Sequence, residues 1–271
     1  MKLEHLERAF ASIGARLRLE APASRWGDPT GYALDIGHDR HGQFFALRGS
    51  EAELAKVDFS LLQKQAADRH LLLLAKSEGS RGRKDRFLCG HDEREWFVAA
   101  IPGTASTVVQ AKEALKPLPV RHAQARKGLS ARQASSRHNG AFRRQGEWFF
   151  VPVETSLALD PRLILNREPI SRGRGSKPHL IEQVYRTGGE TVYVCEKHPR
   201  RLTTSQYQRL INSHPAAKRW SWRQMQRNPG VYARGAVRHP DHATIVLHDW
   251  HRVIMNTEHE APSMASLAFL D

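Results

Sequence analysis

The sequence predicts an α+β fold of two domains: an N-terminal antiparallel-sheet α+β domain, then a mainly-β barrel or sandwich domain with a helical insertion. The 271 residues are 40% hydrophobic, which is enough for a sizeable core. Short alternating apolar segments separated by turn residues recur in both halves. A basic segment that starts with two prolines lies between them. We place the α+β domain at 1–116, a basic linker at 117–144 and the mainly-β domain at 145–271, with its insertion at about 202–230.

In the first domain, the spacing of apolar residues predicts helices and strands. Apolar residues three or four positions apart form one face of a helix within 1–15. A turn at Asp39–Gly42 joins two strands within 32–49, and residues 51–65 favour a helix. The other predicted elements are strands at 15–21, 69–77, 86–92 and 95–102, and a closing helix at 106–116.

In the second domain, residues 179–198 predict a hairpin folded at Thr187–Glu190, where two glycines suit a tight turn. His248–His251 is expected to be a bend between the last two strands. Within the insertion, one helix is expected near Thr203 and another at Ser221, which begins a capping-box pattern. The remaining predicted strands are at 147–153, 162–166, 231–239, 243–248 and 252–258.

The basic charge is concentrated in the linker and the half that follows it. Lys and Arg outnumber Asp and Glu by 42 to 28, a formal net charge of +14. Residues 116–145 contain eight basic and no acidic side chains. Such a run of positive charge is typical of proteins that bind nucleic acid, because each phosphate it neutralises releases counterions and thereby favours binding. The alternative is a solvated linker that only keeps the protein soluble.

Several function classes are disfavoured by composition. Cys89 and Cys195 are too few for a disulfide framework, which agrees with a reducing compartment. The longest strongly apolar run, 70–75, is far shorter than the roughly 20 residues of a transmembrane helix. The N-terminal segment also lacks the continuous apolar stretch of a secretion signal. We therefore expect a cytoplasmic protein without a membrane partner; the sequence carries no signature of oligomeric state.

The segment "CGHDERE" (89–95) combines residue types that occur in catalytic sites. Residues so close on a tight turn point in different directions, and a Cys–His pair normally comes from separate elements. We interpret the segment as a polar turn between two apolar strands, with Cys89 as a small buried side chain.

Three segments, "RRQGEWFFVPV", "KPHLIE" and "VRHPDHATIVLHDWHRV", resemble in order and spacing a group of short bacterial and phage proteins. Members of that group carry Arg-Gln-Gly-Asp before an apolar strand, then Gly-His-Ala-His, and then Glu-His before an Ile-x-Leu strand. The resemblance covers about residues 143–258 and implies no particular activity. This sequence has Glu147, Lys177 and Asp241 where the group has Asp, the first paired His and Glu. The matched residues are Arg144, Gln145, Gly146, His179, His242 and Leu247.

The segment "HPDHATIVLHDWH" (239–251) contains four histidines in thirteen residues, and His179 begins a neighbouring strand. In the zinc interpretation, Cys195 and His198 form a C-x-x-H ligand pair, and His239 and His242 form an H-x-x-H ligand pair 40 residues further along the chain. As acid and base, His179 with His239 or His242 would cleave RNA at a ribose 2′-hydroxyl, with Lys177 stabilising the developing charge. Zn is therefore the cofactor considered.

Two further interpretations of these histidines involve no catalysis. They and Trp250 could contact nucleic acid directly, stacking on unpaired bases while nearby arginines hold phosphates. Alternatively they are strand-end and turn histidines on a solvated surface. His248 and His251 flank the expected bend and are interpreted as mostly structural.

Two other stretches favour a phosphate-bearing partner. "SRGRGSKPH" (171–179) interleaves glycine with cations but matches no complete P-loop, and a plain flexible loop is its alternative. The insertion combines arginines on one expected helical face with Trp220 and Trp222, which could instead dock the helix onto the domain. The predicted nucleic-acid-binding residues are Arg121, Arg126, Lys127, Arg132, Arg143, Arg144, Arg172, Arg174, Arg219, Arg223, Arg227, Trp222 and Trp250.

Together these patterns predict a nucleic-acid-binding protein, and scattered arginines and aromatics favour RNA over duplex DNA. One hypothesis is an RNA endonuclease or processing factor that uses His179, His239 and His242. The other is a non-catalytic binding module or assembly adaptor of a mobile-element or defence system. Inward-facing histidines in a basic cleft would favour the enzyme.

Overall fold

The computed structural model describes residues 3–21, 31–77, 82–154, 157–172 and 176–261. Over these ranges the chain is α+β and mostly β, as the sequence predicts. The helices are α1 (Leu3–Ala11), α2 (Glu51–Leu54), α3 (Val108–Ala114), α4 (Leu118–Arg126), α5 (Ala131–Ser135) and α6 (Thr204–Ser213). The strands are β1 (Leu17–Glu20), β2 (Ala33–Asp39), β3 (Gly42–Arg48), β4 (Val57–Gln65), β5 (His70–Ser77), β6 (Lys84–Asp92), β7 (Glu95–Ala100), β8 (Arg143–Gln145), β9 (Trp148–Pro152), β10 (Ile164–Ile170), β11 (His179–Thr187), β12 (Glu190–Cys195), β13 (His198–Thr203), β14 (Arg223–Arg227), β15 (Gly230–His239) and β16 (His242–Met255). None of the helices in the described ranges is long and apolar enough to span a bilayer.

Two sheets form the N-terminal part. One has the order β1-β3-β2, with β1 parallel to β3, and the other is an antiparallel meander of β4 to β7. Phe10 of α1 packs with Phe45 of β3 in a core that also includes Leu71 and Phe87. On β5 and β6, Leu72 and Leu88 belong to a separate cluster with α3. The meander is therefore covered by apolar side chains on both faces.

A six-stranded antiparallel sheet of order β10-β11-β15-β16-β9-β8 forms the centre of the C-terminal part. Its core includes Phe150, Ile181, Val237 and Leu247, each almost fully buried. A three-stranded sheet of order β13-β12-β14 carries α6 beside it. Both sheets have open edges among the described residues, so the expected closed barrel is not formed.

Residues 117–144, expected to be a linker, are folded and packed. They include α4 and α5, and their apolar side chains cluster with β9, where Phe142 meets the Phe149 ring edge-on at 5.1 Å between centroids. The amide of Gln124 donates to the Ala134 carbonyl at 2.8 Å, which joins the two helices. Where the domain boundary lies stays a prediction.

Four local predictions are wrong. Residues 51–65 contain a helix only to Leu54, because β4 pairs with β5 and buries Phe59 in the core. The expected bend at His248–His251 is a bulge inside β16, where Leu247 faces Gly235 and His251 faces Ala233. Pairing across the sheet holds both segments extended.

The other two wrong predictions concern the insertion. The expected hairpin at 179–198 does not form, because β11 pairs with β15 in the large sheet while β12 pairs with β14 in the small one. The helix expected at Ser221 is replaced by β14, so Arg219, Arg223 and Arg227 do not share a helical face. Thr187 faces Gly230, and Glu190 faces Arg227, so one antiparallel ribbon crosses from the large sheet into the small one.

Candidate functional site

Three histidines meet at one end of the six-stranded sheet. His179 is the first residue of β11, and His239 and His242 are paired across the turn that joins β15 to β16. Because β11 lies beside β15, with Leu180 opposite Arg238, His179 is brought next to this turn. The strand order therefore assembles residues that are 60 positions apart in the chain.

The three rings are close and nearly parallel. The His179 ring centroid lies 4.2 Å from that of His239 and 5.9 Å from that of His242, and the last two are 4.7 Å apart. One nitrogen from each ring lies within 4.8 Å of the others. Nitrogens bound to a tetrahedral zinc ion at about 2.1 Å would be about 3.4 Å apart, so side-chain shifts of about 1 Å would suffice.

Burial favours the neutral form of His179 and His242. His179 is 1% exposed, and neither of its ring nitrogens forms a hydrogen bond of normal geometry with a described residue, although the nearby Gln145 backbone opposes the effect of burial on its pKa. Burial, with smaller effects from His239 and His242, lowers the pKa of His179 to about 3. Burial also lowers the pKa of His242. Its Nδ1 likewise has no hydrogen-bond partner among the described residues. Neutral imidazoles with free nitrogens are the form that binds a metal ion.

His239 is oriented by backbone groups. Its Nδ1 accepts a hydrogen bond from the Asp241 N–H at 3.1 Å, and its Nε2 lies 3.3 Å from the Lys177 carbonyl oxygen. The Lys177 ammonium in turn donates to the Asp241 carboxylate at 2.7 Å. Because Nδ1 accepts, the ring proton lies on Nε2, which donates to the Lys177 carbonyl. A metal ion bound through Nε2 would therefore require the other tautomer and would displace both backbone contacts.

The β8–β9 turn closes the cluster from another side. Gly146 has a φ of +57°, and a Cβ atom built there would lie 3.0 Å from His242 Nε2 and 3.2 Å from His179 Nε2. The buried amide of Gln145 donates to the carbonyls of Val237 and Ala243, which fastens this turn to β15 and β16. Glycine is thus required both for the backbone conformation and for the close approach of two rings.

Two carboxylates stand beside His242. Glu93, in the β6–β7 turn, accepts from the Ala243 N–H at 2.7 Å and lies 3.7 Å from His242 Nδ1. Glu147 lines the cleft described in the next paragraph and forms no ion pair with any described residue. Sequence analysis assigned neither a role. The segment "CGHDERE" is the expected turn, and its acidic cluster was the only signal for Glu93.

A cleft of about 390 Å³ opens between this cluster and the N-terminal part. One wall is apolar and includes Trp96 and Phe97 of β7. Its cations are largely matched by carboxylates, as in the pairs Arg144–Asp92, Arg172–Glu258 and Lys177–Asp241. Lys112 forms no ion pair within the described ranges, and burial lowers its pKa. The cleft is of a size for a small ligand or one nucleotide.

No family model matches the chain, and no curated protein or solved structure matches it.

The residues singled out by the resemblance to short bacterial and phage proteins converge on this site. Gln145, Gly146, His179 and His242 form the cluster described above. Arg144 lies just behind it, where burial lowers its pKa and its guanidinium donates to Asp92 at 3.0 Å. The sixth matched residue, Leu247, is buried in the sheet core.

The expected zinc set does not come together. In the described part of the chain, the group of potential ligands that includes His239 and His242 is completed by His179. Cys195 and His198 face each other in the β12–β13 hairpin, and the His198 ring packs with two tryptophans. The prediction failed because strand order, rather than ligand spacing in the chain, decides which residues meet.

The predicted nucleic-acid contacts are divided among several surfaces. Those at Arg121, Arg126, Lys127 and Arg132 are exposed on α4 and α5. Arg126 and Lys127 both approach Glu154. By contrast, Arg144 and Arg172 point into ion pairs in the cleft. Arg143 is half-buried in β8, opposite Phe150 of β9. The Trp250 ring lies against the Arg234 guanidinium. Arg174 is outside the described residues. The arginines and Trp222 of the insertion lie on or next to the small sheet.

Proposed function

We propose that His179, His239 and His242 bind a divalent transition metal, with zinc the first choice, and that the protein is a metal-dependent hydrolase of a phosphate ester. The observation that carries this proposal is the convergence of three imidazoles, one of them fully buried without a hydrogen bond of normal geometry at either ring nitrogen. A buried polar group without a partner is costly, and a bound ion would offset that cost.

The donor set fits catalysis better than a purely structural role. Three histidines leave a fourth position open, as in catalytic zinc sites, whereas structural sites fill all four positions with protein ligands. A metal ion bound here would polarise a substrate oxygen or supply a hydroxide near neutral pH. The cleft beside His239 and His242 gives a ligand access to that position.

Two carboxylates would support this chemistry. Glu93 is placed to hold His242 through Nδ1, as carboxylates commonly orient metal-binding histidines. Glu147 lines the cleft with no ion pair to the described residues, and it is our candidate for accepting a proton from water. Lys112 is the candidate to contact a phosphate oxygen, because it lines the cleft and forms no ion pair with a described carboxylate.

The metal-free acid–base mechanism fits this geometry less well. A histidine with a pKa of about 3 is almost entirely unprotonated near neutrality, so His179 cannot serve as the general acid there. The rings of His179 and His239 also stack at 4.2 Å, which leaves no room for a phosphate group between them. The net charge of +14 favours a nucleic acid as the substrate, and the scattered arginines and aromatics favour RNA over duplex DNA.

A non-catalytic binding module is the second candidate, and one observation favours it. The cleft contains three internal ion pairs, so most of its cations are already neutralised. In that case the metal would hold the start of β11 and the β15–β16 turn together, and the protein would bind its partner elsewhere.

The test is metal binding by the full-length chain. Protein stripped with a chelator and titrated with Zn²⁺ should bind one equivalent, and Co²⁺ should give visible d–d bands typical of nitrogen ligation. His179→Ala and His242→Ala should each weaken Zn²⁺ binding by on the order of 100-fold. Hydrolysis of a phosphodiester by the zinc-loaded protein, reduced in Glu147→Gln with zinc affinity unchanged, would separate the enzyme from the binding module.

Three substitutions, one single and one pair made together, serve as controls. His248→Ala removes an exposed histidine of the same strand, and Cys195→Ser with His198→Ala removes the ligands expected from sequence. Both variants should bind Zn²⁺ like the unmodified chain, with unchanged circular dichroism. Absence of stoichiometric binding, or equal affinity in His179→Ala, would rule out the metal centre.

A further inference from the structure

A small basic module projects from the six-stranded sheet and has no role in the metal centre. It consists of residues 190–227, which include β12, β13, β14 and α6, and it continues the β11–β15 ribbon beyond Gly188 and Gly189. It contains eight Lys and Arg side chains and two Glu. The module is therefore far more basic for its length than the rest of the chain.

Six of its eight cations are exposed and can contact an external anion. Arg227 pairs with Glu190, but the exposed cations form no ion pair with any described carboxylate. These residues are Lys197, Arg200, Arg209, Lys218, Arg219 and Arg223. The arrangement contrasts with the cleft, where most cations are neutralised from within.

Aromatic rings lie among these cations. The rings of His198, Trp220 and Trp222 are parallel to within 26°, with centroids 5.8 to 6.0 Å apart. The Lys197 ammonium lies 4.4 Å from the centre of the Trp220 ring. All three rings are partly exposed, and none belongs to the hydrophobic clusters of the described residues. They form a platform at the surface.

Contacts to α6 and β12 fix the position of the platform. Trp222 donates its indole N–H to the Ala217 carbonyl at 2.8 Å and meets the Tyr207 ring edge-on at 5.0 Å. Tyr207 of α6 stacks on Tyr193 of β12 at 4.0 Å. Rigid aromatic side chains lose little conformational freedom on binding a ligand, so they are favourable contact groups.

A hollow of about 490 Å³ adjoins the platform and is lined by Cys195, Pro199, Trp222 and Arg223. Next to it, β14 is an edge strand whose side chains from Arg223 to Gln226 are all exposed, including Met225 at 44%. A hollow beside an aromatic ring and an unpaired arginine suits a flat base attached to a phosphate.

We propose that this module binds single-stranded nucleic acid, with bases stacked on the Trp220–Trp222–His198 platform and phosphates held by the surrounding lysines and arginines. Stacking requires unpaired bases, because the faces of paired bases are covered in a duplex. The inference does not depend on the metal centre, whose ligands lie outside residues 190–227.

Fluorescence anisotropy with labelled ten-nucleotide RNA, the same DNA sequence and their duplexes tests the proposal. Either single strand should bind at least about tenfold more tightly than the duplex, equally with chelator and with zinc. Trp220→Ala should weaken binding roughly 5- to 100-fold, whereas Trp220→Phe, which keeps a stacking ring, should retain most of the affinity. The RNA and DNA arms show whether the 2′-hydroxyl contributes.

Charge variants supply an independent measurement. Lys197→Gln with Arg223→Gln should lower the slope of log affinity against log salt by roughly 0.7 for each lost contact. Arg8→Gln with Lys84→Gln, two exposed cations of the N-terminal part, should leave the slope unchanged. Tighter binding to duplexes, or unchanged affinity in Trp220→Ala together with an unchanged slope in the module variant, would overturn the proposal. Loss of zinc binding with intact RNA binding would overturn only the metal centre.

Discussion

At the scale of single residues, the site depends on atoms that have no partner inside the protein. His179 is buried with both ring nitrogens unsatisfied, and Gly146 approaches it so closely that a methyl group would contact two imidazoles. Proteins rarely bury polar atoms in this way without an ordered water, an ion or a catalytic role. A glycine with a positive φ that closely approaches two of the three histidines is the reason we place the candidate site at this corner.

Gly146→Ala is expected to damage the metal site more than the fold. The positive φ should cost about 1 kcal/mol of unfolding free energy, and the new methyl group should displace the rings of His179 and His242. We expect Zn²⁺ affinity to fall at least about tenfold. Isothermal titration and urea denaturation measure the two effects.

Gly188→Ala is the matched control, because Gly188 has a φ of +71° but no atom within 4 Å of the added methyl group. It should show a similar loss of stability and normal zinc affinity. Equal zinc affinity in both variants would mean that the approach of Gly146 to the histidines has no functional consequence.

At the scale of elements, residues 117–144 show how packing changes the meaning of a basic segment. Its composition suggests a solvated linker, yet Val120, Ala123 and Phe142 are buried against β9. Arg137 turns inward to Asp92 and Glu93, so it joins this segment to the β6–β7 turn. The segment thereby supports Glu93, the neighbour of His242.

Phe142→Ala should cost about 3 kcal/mol of unfolding free energy, because it removes a ring that is 2% exposed and leaves a cavity. Leu118→Ala in α4 changes a side chain that is 55% exposed and should cost less than about 0.5 kcal/mol. Chemical denaturation of both variants measures the difference. Similar small losses in the two would indicate that the segment is a loosely attached linker.

At the scale of the whole molecule, the N-terminal and C-terminal parts share one cleft and are joined at its far end. Glu258, which follows β16, accepts from the Ala100 N–H at 3.3 Å and from Arg172 at 2.9 Å. Thr257 donates to the Ala114 carbonyl, and Ala261 is buried in the N-terminal core. Exposed positive charge, in contrast, lies on α4, α5 and the 190–227 module.

Neutralising Arg121, Arg126, Lys127 and Arg132 should weaken nucleic-acid binding without sequence preference and flatten its salt dependence. Because Arg126 and Lys127 both form ion pairs with Glu154, we expect the loss of about two phosphate contacts rather than four. For single strands, the slope of log affinity against log salt should then change by roughly 1.4. Filter-binding titrations at several salt concentrations measure this slope. A slope equal to that of the unmodified chain would exclude α4 and α5 as phosphate contacts.

The amino-acid sequence by itself determined the α+β class, the meander of β5 to β7, the turn at Asp39–Gly42 and the burial of Cys89. These features follow from local periodicity and turn chemistry, which a short window contains. The histidine-rich segment and the matched Gln-Gly pair also contain residues that the structure brings together at the candidate site. The zinc hypothesis, however, grouped His239 and His242 with Cys195 and His198, which lie in a separate sheet.

Only the tertiary structure decided which of those residues meet. Of the two partner sets considered for His239 and His242, His179 lies beside them and Cys195 and His198 do not, because β11 pairs with β15 while β12 belongs to a separate sheet. The segment at Ser221 became a strand because it pairs with β12, although its local pattern favours a helix. Strand order and register depend on contacts between distant parts of the chain, and no local pattern contains that information.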